Sequence, residues 1–480
     1  MQKKSINFGF RGWMLVLWAA TAFFAYVVIG NYPLNILADL YGGSQTLSMV
    51  YTGASVVGIA IQLILSSKAG KIKSWKLMGV IFGILSILAL VAMMLIQPGT
   101  VWIIVYGLGT VLSVMYGTWA LSVLVGIWFP RRKGTVMGVI TFAFPIANAL
   151  LGFFASGYYG KFEPLIGQAM ETQMGDLVGS LIAGGTAADA AEGIASGIIA
   201  GQCTQQTTLT AFIPYLIVII VGLIIGLIFI KDFPEQVGAY RDNDKSITPE
   251  VANQMMKFEE ENRKSTVWTT GHTLASGDFW LITIPMGLLL MFAVGMMTQT
   301  NAIITPVFGD DGYTVVMMVV AAFGIIGSWL FGVIDTKFGT RTSVTISMIC
   351  MVVAGILGGV GATSKVPLLI AIILVAMFMG ASSNFTVSAA VQYWRIEDFP
   401  SVFSVVNPVA NLLNAFGPMV IAALIASSLG ASAVFYATGI AGVVGFILCL
   451  LFKPGRVKAT DDKYRKAAGK PLDDALVGRK

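Results

Sequence analysis

Two short stretches of this sequence place an asparagine one helical turn after a proline in apolar surroundings. The first, FPIANAL, contains Pro145 and Asn148, and the second, NPVANLL, contains Pro408 and Asn411. A side-chain amide donates and accepts hydrogen bonds without carrying charge, so it can hold a carboxylate or a hydroxyl reversibly. The chemistry that these residues offer is therefore non-covalent recognition of a solute.

No catalytic constellation accompanies these amides in the sequence. There is one histidine, His272, which we interpret as a solvated linker residue, and the cysteines are three scattered residues without metal-ligand spacing. Nucleophile triads and phosphate-binding loops are also missing. We therefore expect a protein that is not an enzyme and that uses no cofactor and no metal.

The amides must be positioned by membrane-spanning helices. Of the 480 residues, 56% are hydrophobic and only 11% are charged, whereas soluble domains carry roughly 25% charged residues. Apolar runs that reach the ~20 residues needed to cross a bilayer recur along the chain. Twelve such runs predict an all-α integral membrane protein, with helices 1 to 12 at 12–31, 45–66, 77–97, 101–128, 135–158, 210–230, 279–305, 314–334, 342–363, 367–391, 402–426 and 432–452.

The positive charges predict the orientation of these helices. Lys and Arg residues close to helix ends remain on the cytoplasmic side. With both termini inside, only Lys161 and Lys365, of 30 such residues, fall outside. This bias supports the twelve-helix count and predicts a multi-pass protein of the inner (cytoplasmic) membrane. It also accounts for the net charge of +6, so we expect the lipid bilayer as surroundings and no nucleic acid as a partner.

Polar segments divide the predicted helices into two halves. We predict an N-terminal six-helix bundle (1–230), a cytoplasmic linker (231–276), a C-terminal six-helix bundle (277–454) and a cytoplasmic tail (455–480). Within the first bundle, residues 159–209 are predicted to form a long external loop. Its Gly- and Ala-rich sequence favours either a tolerated insertion or one or two short amphipathic helices.

The two halves carry matching sequence at matching places. The proline–asparagine stretches lie in helices 5 and 11, and the segments before them also correspond, with Trp119 opposite Phe385 and Trp128 opposite Trp394. Equivalent helices then run the same way across the membrane. Two parallel six-helix repeats with a site between them are a transporter architecture.

The loop after helix 8, GVIDTKFGTR, resembles the cytoplasmic loop pattern of the major facilitator superfamily. The resemblance extends over nearly the whole chain and implies the major facilitator fold. It also implies a cytoplasmic gate formed by Asp335, Lys337, Gly339 and Arg341. The corresponding first-half loop, SSKAGKIKSWK, keeps the bases but has Gly70 near the position of the acid.

A second motif, DFPEQVGAYRDND at 232–244, resembles a stretch found in the organic-anion branch of that superfamily. This branch includes oxalate/formate antiporter-like and monocarboxylate-type carriers. Ionisable residues inside a bilayer are functional by default, but here every one of them falls at a helix end or in a loop. Because oxalate carriers hold their dianion with basic groups, the sequence argues against a compact dianion.

Neutral polar and aromatic residues must then form the site. The resemblance implies that helices 1, 4, 7 and 10 line the central path, with helices 2, 5, 8 and 11 beside them. Each single residue could instead bridge helices. The predicted substrate-binding residues are Asn31, Tyr51, Tyr116, Trp119, Asn148, Gln299, Asn301, Asn384, Phe385, Asn407 and Asn411, with Tyr32, Thr118 and Asn414 as further candidates.

The sequence thus predicts a secondary transporter, expected to be a monomer, that moves a small or amphipathic organic anion by alternating access. A monocarboxylate is the favoured solute, with either proton symport or anion exchange. A bile acid/proton symporter of the same superfamily is one alternative, because amides and aromatic rings also suit a bulky amphipathic acid. A non-transporting membrane solute sensor or a channel-like facilitator is the other.

Overall fold

Long apolar helices form most of the protein. The computed structural model describes residues 7–38, 40–41, 43–67, 72, 74–129, 133–248, 250–251, 253–254, 257, 266–395, 398–470 and 472. Within that part of the chain, twelve helices are long and apolar enough to cross a membrane, so the predicted all-α fold with twelve spans is confirmed. They are α1 Gly9–Leu37, α2 Gly43–Leu65, α3 Trp75–Leu95, α4 Thr100–Trp128, α5 Val136–Ala183, α6 Ala188–Phe229, α7 Gly277–Met297, α8 Thr300–Phe338, α9 Thr340–Gly361, α10 Lys365–Tyr393, α11 Ser401–Ile425 and α12 Ala431–Leu451.

The segment predicted as an external loop, 159–209, is instead the helical continuation of α5 and α6. Helix Ala143–Ala183 has 41 residues and helix Ala188–Phe229 has 42. At 1.5 Å per residue each is about 60 Å long, twice the ~30 Å hydrocarbon layer. The projecting ends pair through an apolar seam that includes Ala169, Ile199 and Cys203. The Gly- and Ala-rich sequence that suggested a loop therefore forms a hairpin of two helices, joined at residues 184–187.

The boundary between helices 7 and 8 also differs from the prediction. Predicted helix 7 continued to residue 305, but α7 ends at Met297, and α8 begins at Thr300 and bends at Gly309, where φ is +74°. Thr298 Oγ1 donates to Gly295 O (2.7 Å) at the end of α7. An apolar run across a short turn conceals the turn, which is why hydropathy misplaced this boundary.

Two spans contain a π-helical turn. The turns are Pro33–Leu37 in α1 and Met115–Ala120 in α4. A π-turn displaces the ordinary i→i+4 bonds and often marks a functional site. Each turn contains a polar side chain, Asn35 in α1 and Thr118 in α4.

The helices form two bundles, α1–α6 and α7–α12. They meet where α2 contacts α11 and where α5 contacts α8. Inside the second bundle α7 and α11 approach closely, and a Cβ on Gly417 would clash with Met291 O. Only glycine allows the backbones to come this close.

Both ends of the described chain lie at one face of the molecule. Arg11 Nη1 donates to Phe229 O (2.9 Å), and the exposed His272 stacks on Tyr464 with ring centroids 4.3 Å apart. Tyr464 belongs to a tail helix, α13, Pro454–Ala467. We call this side the terminal face and the other end of the spans the opposite face.

The described part of the linker lies at the terminal face. It contains turns at Pro234–Val237 and Arg241–Asn243 and a short helix at Thr270–Ala275. Gly70 of the first-half loop and the rest of the predicted linker and tail lie outside the described residues, at 249, 252, 255–256, 258–265, 471 and 473–480.

A buried ionic cluster fastens α13 to the second bundle. Asp461 accepts from Arg395 Nε (2.8 Å) and from Trp268 Nε1 (2.9 Å). Arg465 Nη2 donates to Asp398 (2.7 Å), which lies just before α11. The cluster therefore joins the linker, the α10–α11 turn and the tail.

Candidate functional site

A polar cavity lies between the bundles, where α1, α2 and α4 face α11. Its volume is about 50 Å³, room for roughly four water molecules at ~10–15 Å³ each. No side chain that titrates near neutral pH is among its lining residues, which are Tyr26, Tyr51, Ser55, Ile59, Gln62, Val114, Thr118, Asn407, Asn411, Asn414 and Ala415.

Three asparagines of α11 form one wall of the cavity. Asn411 Nδ2 donates to Asn407 O (2.9 Å) and Asn407 Oδ1 (3.1 Å), which also accepts from Thr386 Oγ1 (3.2 Å). These bonds occupy the nitrogen of Asn411 and the oxygen of Asn407. Asn414 Oδ1 is buried without a hydrogen-bond partner. The wall thus offers an amide donor at Asn407 and amide acceptors at Asn411 and Asn414.

Hydroxyl and amide groups of the first bundle form the other wall. The hydroxyl oxygens of Tyr26 and Tyr51 are 2.9 Å apart, and Gln62 Nε2 donates to Thr118 Oγ1 (2.8 Å). Thr118 Oγ1 itself donates to Val114 O (2.7 Å) at the π-turn of α4. The π-turn therefore presents Thr118 to the cavity.

The structure brings together three of the predicted substrate-binding residues and two of the further candidates at this cavity. Tyr51, Asn407 and Asn411 line it, and so do the further candidates Thr118 and Asn414. Tyr26, Ser55 and Gln62 also line it and were not predicted. Tyr26 lies on α1 and Gln62 on α2, each within an apolar run. A polar group inside such a run is the signal by which the sequence could have indicated them.

The predicted aromatic residues of α4 and α10 lie away from the cavity lining. Tyr116 OH accepts from Trp18 Nε1 (3.0 Å). Trp119 packs on Trp75, with ring centroids 5.1 Å apart. Phe385 is buried in the main apolar core. As substrate-binding residues these three stay predictions.

Asn148 lies at the other contact between the bundles, α5 with α8. Its neighbours on the helix, Pro145 and Gly152, face Gly324 and Thr314 across that contact. Asn148 is 0% exposed, and neither its Nδ2 nor its Oδ1 has a hydrogen-bond partner. It therefore does not face Asn411 across the cavity in this conformation, and its role as a binding residue stays a prediction.

Asn31 is another buried amide with an atom that has no hydrogen-bond partner. Its Nδ2 has no partner, and it precedes Tyr32, whose hydroxyl donates to Ala147 O (2.7 Å), the residue before Asn148. On α10, Asn384 lies across the bundle gap from α5, since a Cβ on Gly138 would be 3.7 Å from its Nδ2.

Gln299 and Asn301 lie near the opposite face rather than at the cavity. Gln299 Oε1 accepts from Ser44 Oγ (2.8 Å), and its Nε2 donates to Ser48 Oγ (3.0 Å). The backbone N–H of Asn301 donates to Asn35 Oδ1 (3.2 Å). Both residues therefore join the bundles, and Asn35 is a residue that the sequence interpretation missed.

The residues of the predicted gate make their contacts inside the second bundle. Thr340 Oγ1 donates to Asp335 (2.6 Å), Gly339 turns the chain with φ +89°, and Lys337 is exposed. Arg341 Nε donates to Cys449 O (2.9 Å) at the end of α12. The motif ties α8, α9 and α12 together, and its gating role stays a prediction.

Comparisons with known proteins agree with this architecture. The family model described as Major Facilitator Superfamily matches residues 312–478. No curated protein matches the chain in sequence.

Several solved structures share the fold. The xylose transporter XylE from E. coli, in a partially occluded inward-open conformation, is 12% identical over 92% of this chain and 96% of that chain, with a TM-score of 0.62. A bacterial homolog of the human lysosomal transporter Spinster, inward-facing and unoccupied, is 11% identical over 96% and 98%, with a TM-score of 0.57. A POT family transporter in complex with 5-aminolevulinic acid is 14% identical over 93% and 98%, with a TM-score of 0.57.

The comparisons define the architecture of this protein. It is a multi-pass membrane protein with twelve spans and the major facilitator fold, and residues 312–478 are similar to the Major Facilitator Superfamily model.

Proposed function

We propose that the protein moves a small monocarboxylate across the cytoplasmic membrane by alternating access. The single observation that carries this proposal is the polar cavity between α2 and α11, which offers hydrogen bonds without fixed charge. Asn411 lies midway along the helix Phe399–Ile425, at the depth where this architecture binds its solutes.

The uncommitted groups of the cavity suit a carboxylate. A carboxylate accepts hydrogen bonds. The Asn407 amide nitrogen can supply them, and so can one hydroxyl of the Tyr26–Tyr51 pair, since the other hydroxyl donates within the pair. The amide oxygens of Asn411 and Asn414 accept from a hydroxyl or an acid proton on the same solute. A single negative charge can be held by such neutral donors, while a dianion needs basic partners.

The size of the cavity favours a small solute. About 50 Å³ admits a few heavy atoms, whereas a steroid skeleton needs several times more space. This observation supports a small monocarboxylate over the bile-acid alternative.

The arrangement of contacts supports an alternating-access cycle. Hydrogen bonds between the bundles close the opposite face, at Gln299 and Asn301. The cavity extends from Tyr51 towards the terminal face at Gln62, near the end of α2. With the terminal face placed in the cytoplasm, as the positive charges predict, this conformation is closed to the outside.

Coupling then depends on the solute. The cavity lining contains no carboxylate or imidazole to carry a proton, so a weak acid must bring its own proton or one anion must exchange for another. We propose these two modes, proton symport and anion exchange, as the coupling alternatives.

Uptake by proteoliposomes tests the proposal. The protein is reconstituted and supplied with labelled monocarboxylates of two to five carbons, and with amides and amines of equal size as control solutes. Flux driven by an inward proton gradient supports symport, and gradient-independent counterflow supports exchange. Absence of carboxylate flux in both experiments, or equal flux of the amides and amines, contradicts the proposal.

A further inference from the structure

At the opposite face one asparagine, Asn35, uses all of its hydrogen-bonding groups. Asn35 lies in the π-turn of α1 and is 5% exposed. Its Nδ2 donates to Asn31 O and to Met297 O, both at 3.0 Å. Its Oδ1 accepts from Thr300 Oγ1 (2.8 Å) and from the Asn301 N–H (3.2 Å).

Three of these four bonds cross between the bundles. Met297, Thr300 and Asn301 all belong to the junction of α7 and α8, while Asn31 lies one turn back on α1. A primary amide has two N–H donors and a carbonyl oxygen with two lone pairs, so Asn35 has no hydrogen-bonding group left. Asn35 can make all four hydrogen bonds at once only when the bundles are closed at this face.

Local structure on both sides presents the groups that meet here. On α1 the π-turn begins at Pro33, which lacks an N–H, and it aims Asn35 at the other bundle. On the other side α7 ends at Met297, so its last carbonyl is available to an outside donor. Tyr313 OH lies 2.8 Å from Thr300 Oγ1, and because that hydroxyl donates to Asn35, Tyr313 is its donor.

We infer that Asn35 is the residue that holds the opposite-face gate shut and sets the free energy of its opening. This inference rests on the proposed function, because a latch has a role only in a carrier that alternates between two openings. Opening must break three hydrogen bonds at Asn35 and two more at Gln299, and the freed groups must be met by water. Asn35 is a positioning residue for the cycle and does not contact the solute in the cavity.

The consequence is a defined change in conformational equilibrium. Asn35→Ala removes the three contacts between the bundles and leaves Met297 O, Thr300 and the Asn301 N–H to water. A net hydrogen bond corresponds to roughly a fivefold change in a population ratio. We expect the ratio of open to closed opposite faces to rise by more than about tenfold.

Distances between spin labels measure that ratio without any solute. Cysteines replace the exposed Gln45 on α2 and Asp310 on α8, in a background with the three native cysteines replaced, and pulsed dipolar spectroscopy reads the distance distribution. Asn35→Ala should move the distribution to longer distances. Gln202→Ala, an exposed amide on the α6 extension, is the matched control and should leave it unchanged.

A second variant keeps the inference testable if Asn35→Ala fails to fold. Gln299→Ala removes the two parallel contacts with Ser44 and Ser48 and should shift the distances in the same direction by a smaller amount. An unchanged distribution in the folded variants overturns the inference. A shifted distribution in a protein that carries no carboxylate would support the latch and refute the proposed function, so the two failures are distinguishable.

Discussion

Replacing Asn148 by leucine separates a binding role from a packing role for this residue. The two side chains have the same number of heavy atoms, so the change removes polarity with little change in shape. Asn148 is fully buried at the α5–α8 contact, and both of its polar atoms lack a partner. A buried polar group without a hydrogen bond costs ~1–3 kcal/mol. We therefore expect Asn148→Leu to raise the free energy of unfolding by about 1–3 kcal/mol.

A residue that costs stability in the closed conformation is expected to act in another part of the cycle. If Asn148 binds the solute when α5 and α8 separate, the leucine variant should be more heat-stable and at the same time slower in transport. The assays are the midpoint of thermal unfolding in detergent and counterflow in proteoliposomes. Ile146→Val, on the exposed side of the same helix, is the control for both.

Two outcomes would refute this reasoning. A lower unfolding midpoint for Asn148→Leu would show that the amide has a stabilising partner and serves as a bridge between helices. A higher midpoint with unchanged transport would remove Asn148 from the site.

Three further expectations concern packing, charge and pH. Gly417→Ala forces a Cβ against Met291 O and should destabilise the fold by ~1–3 kcal/mol, measured as a lower thermal midpoint, whereas Gly157→Ala enters open space and should not. Asp461→Asn removes the carboxylate that pairs with the buried Arg395 and Arg465 and should lower the free energy of unfolding by roughly 3–5 kcal/mol. An unchanged midpoint of thermal unfolding would mean that the cluster is solvated. Because the cavity lining lacks groups that titrate between pH 5 and 8, binding of a carboxylate whose pKa is below 5 should stay within about twofold from pH 6 to 8 if the solute binds as its anion, whereas a loss of about tenfold per pH unit would show that it binds with its own proton.

Much of the fold follows from the sequence because membrane crossing imposes a simple requirement. Backbone polar groups in lipid must be satisfied within the helix, so apolar runs of sufficient length become spans. The same criterion fails where a helix leaves the bilayer, as at 159–209, because polarity there no longer reports whether the helix continues. It also fails at Thr298 and Gln299. These two residues form the turn between α7 and α8, and the apolar residues on both sides make the two helices look like one continuous run.

The candidate site was predictable in part for a related reason. The repeated proline–asparagine pattern located Asn411, which lines the cavity, but equivalent positions in a duplicated sequence can have different surroundings. In this conformation the contact between α11 and α2 encloses a cavity, whereas α5 packs against α8 and buries Asn148. Asn35 was missed although it follows Asn31 by one turn and Pro33 by two residues, because the importance of an amide depends on its partners in the other bundle.

Counterflow with a matched pair of variants tests the central claim most directly. The claim is that the cavity between α2 and α11 holds the solute, and the variants are Asn411→Ala inside the cavity and Leu412→Ala beside it, whose side chain is 41% exposed on the outside of the helix. Asn411 Nδ2 donates to Asn407 Oδ1 and so orients the Asn407 amide, whose nitrogen is the donor to the carboxylate; Asn411→Ala removes that support. A hydrogen bond to a charged solute is worth ~1.5–3 kcal/mol, or about 10- to 150-fold in affinity. We predict that Asn411→Ala loses at least tenfold in apparent affinity for the carboxylate while Leu412→Ala transports like the unmodified protein. Equal transport by both variants would contradict the account.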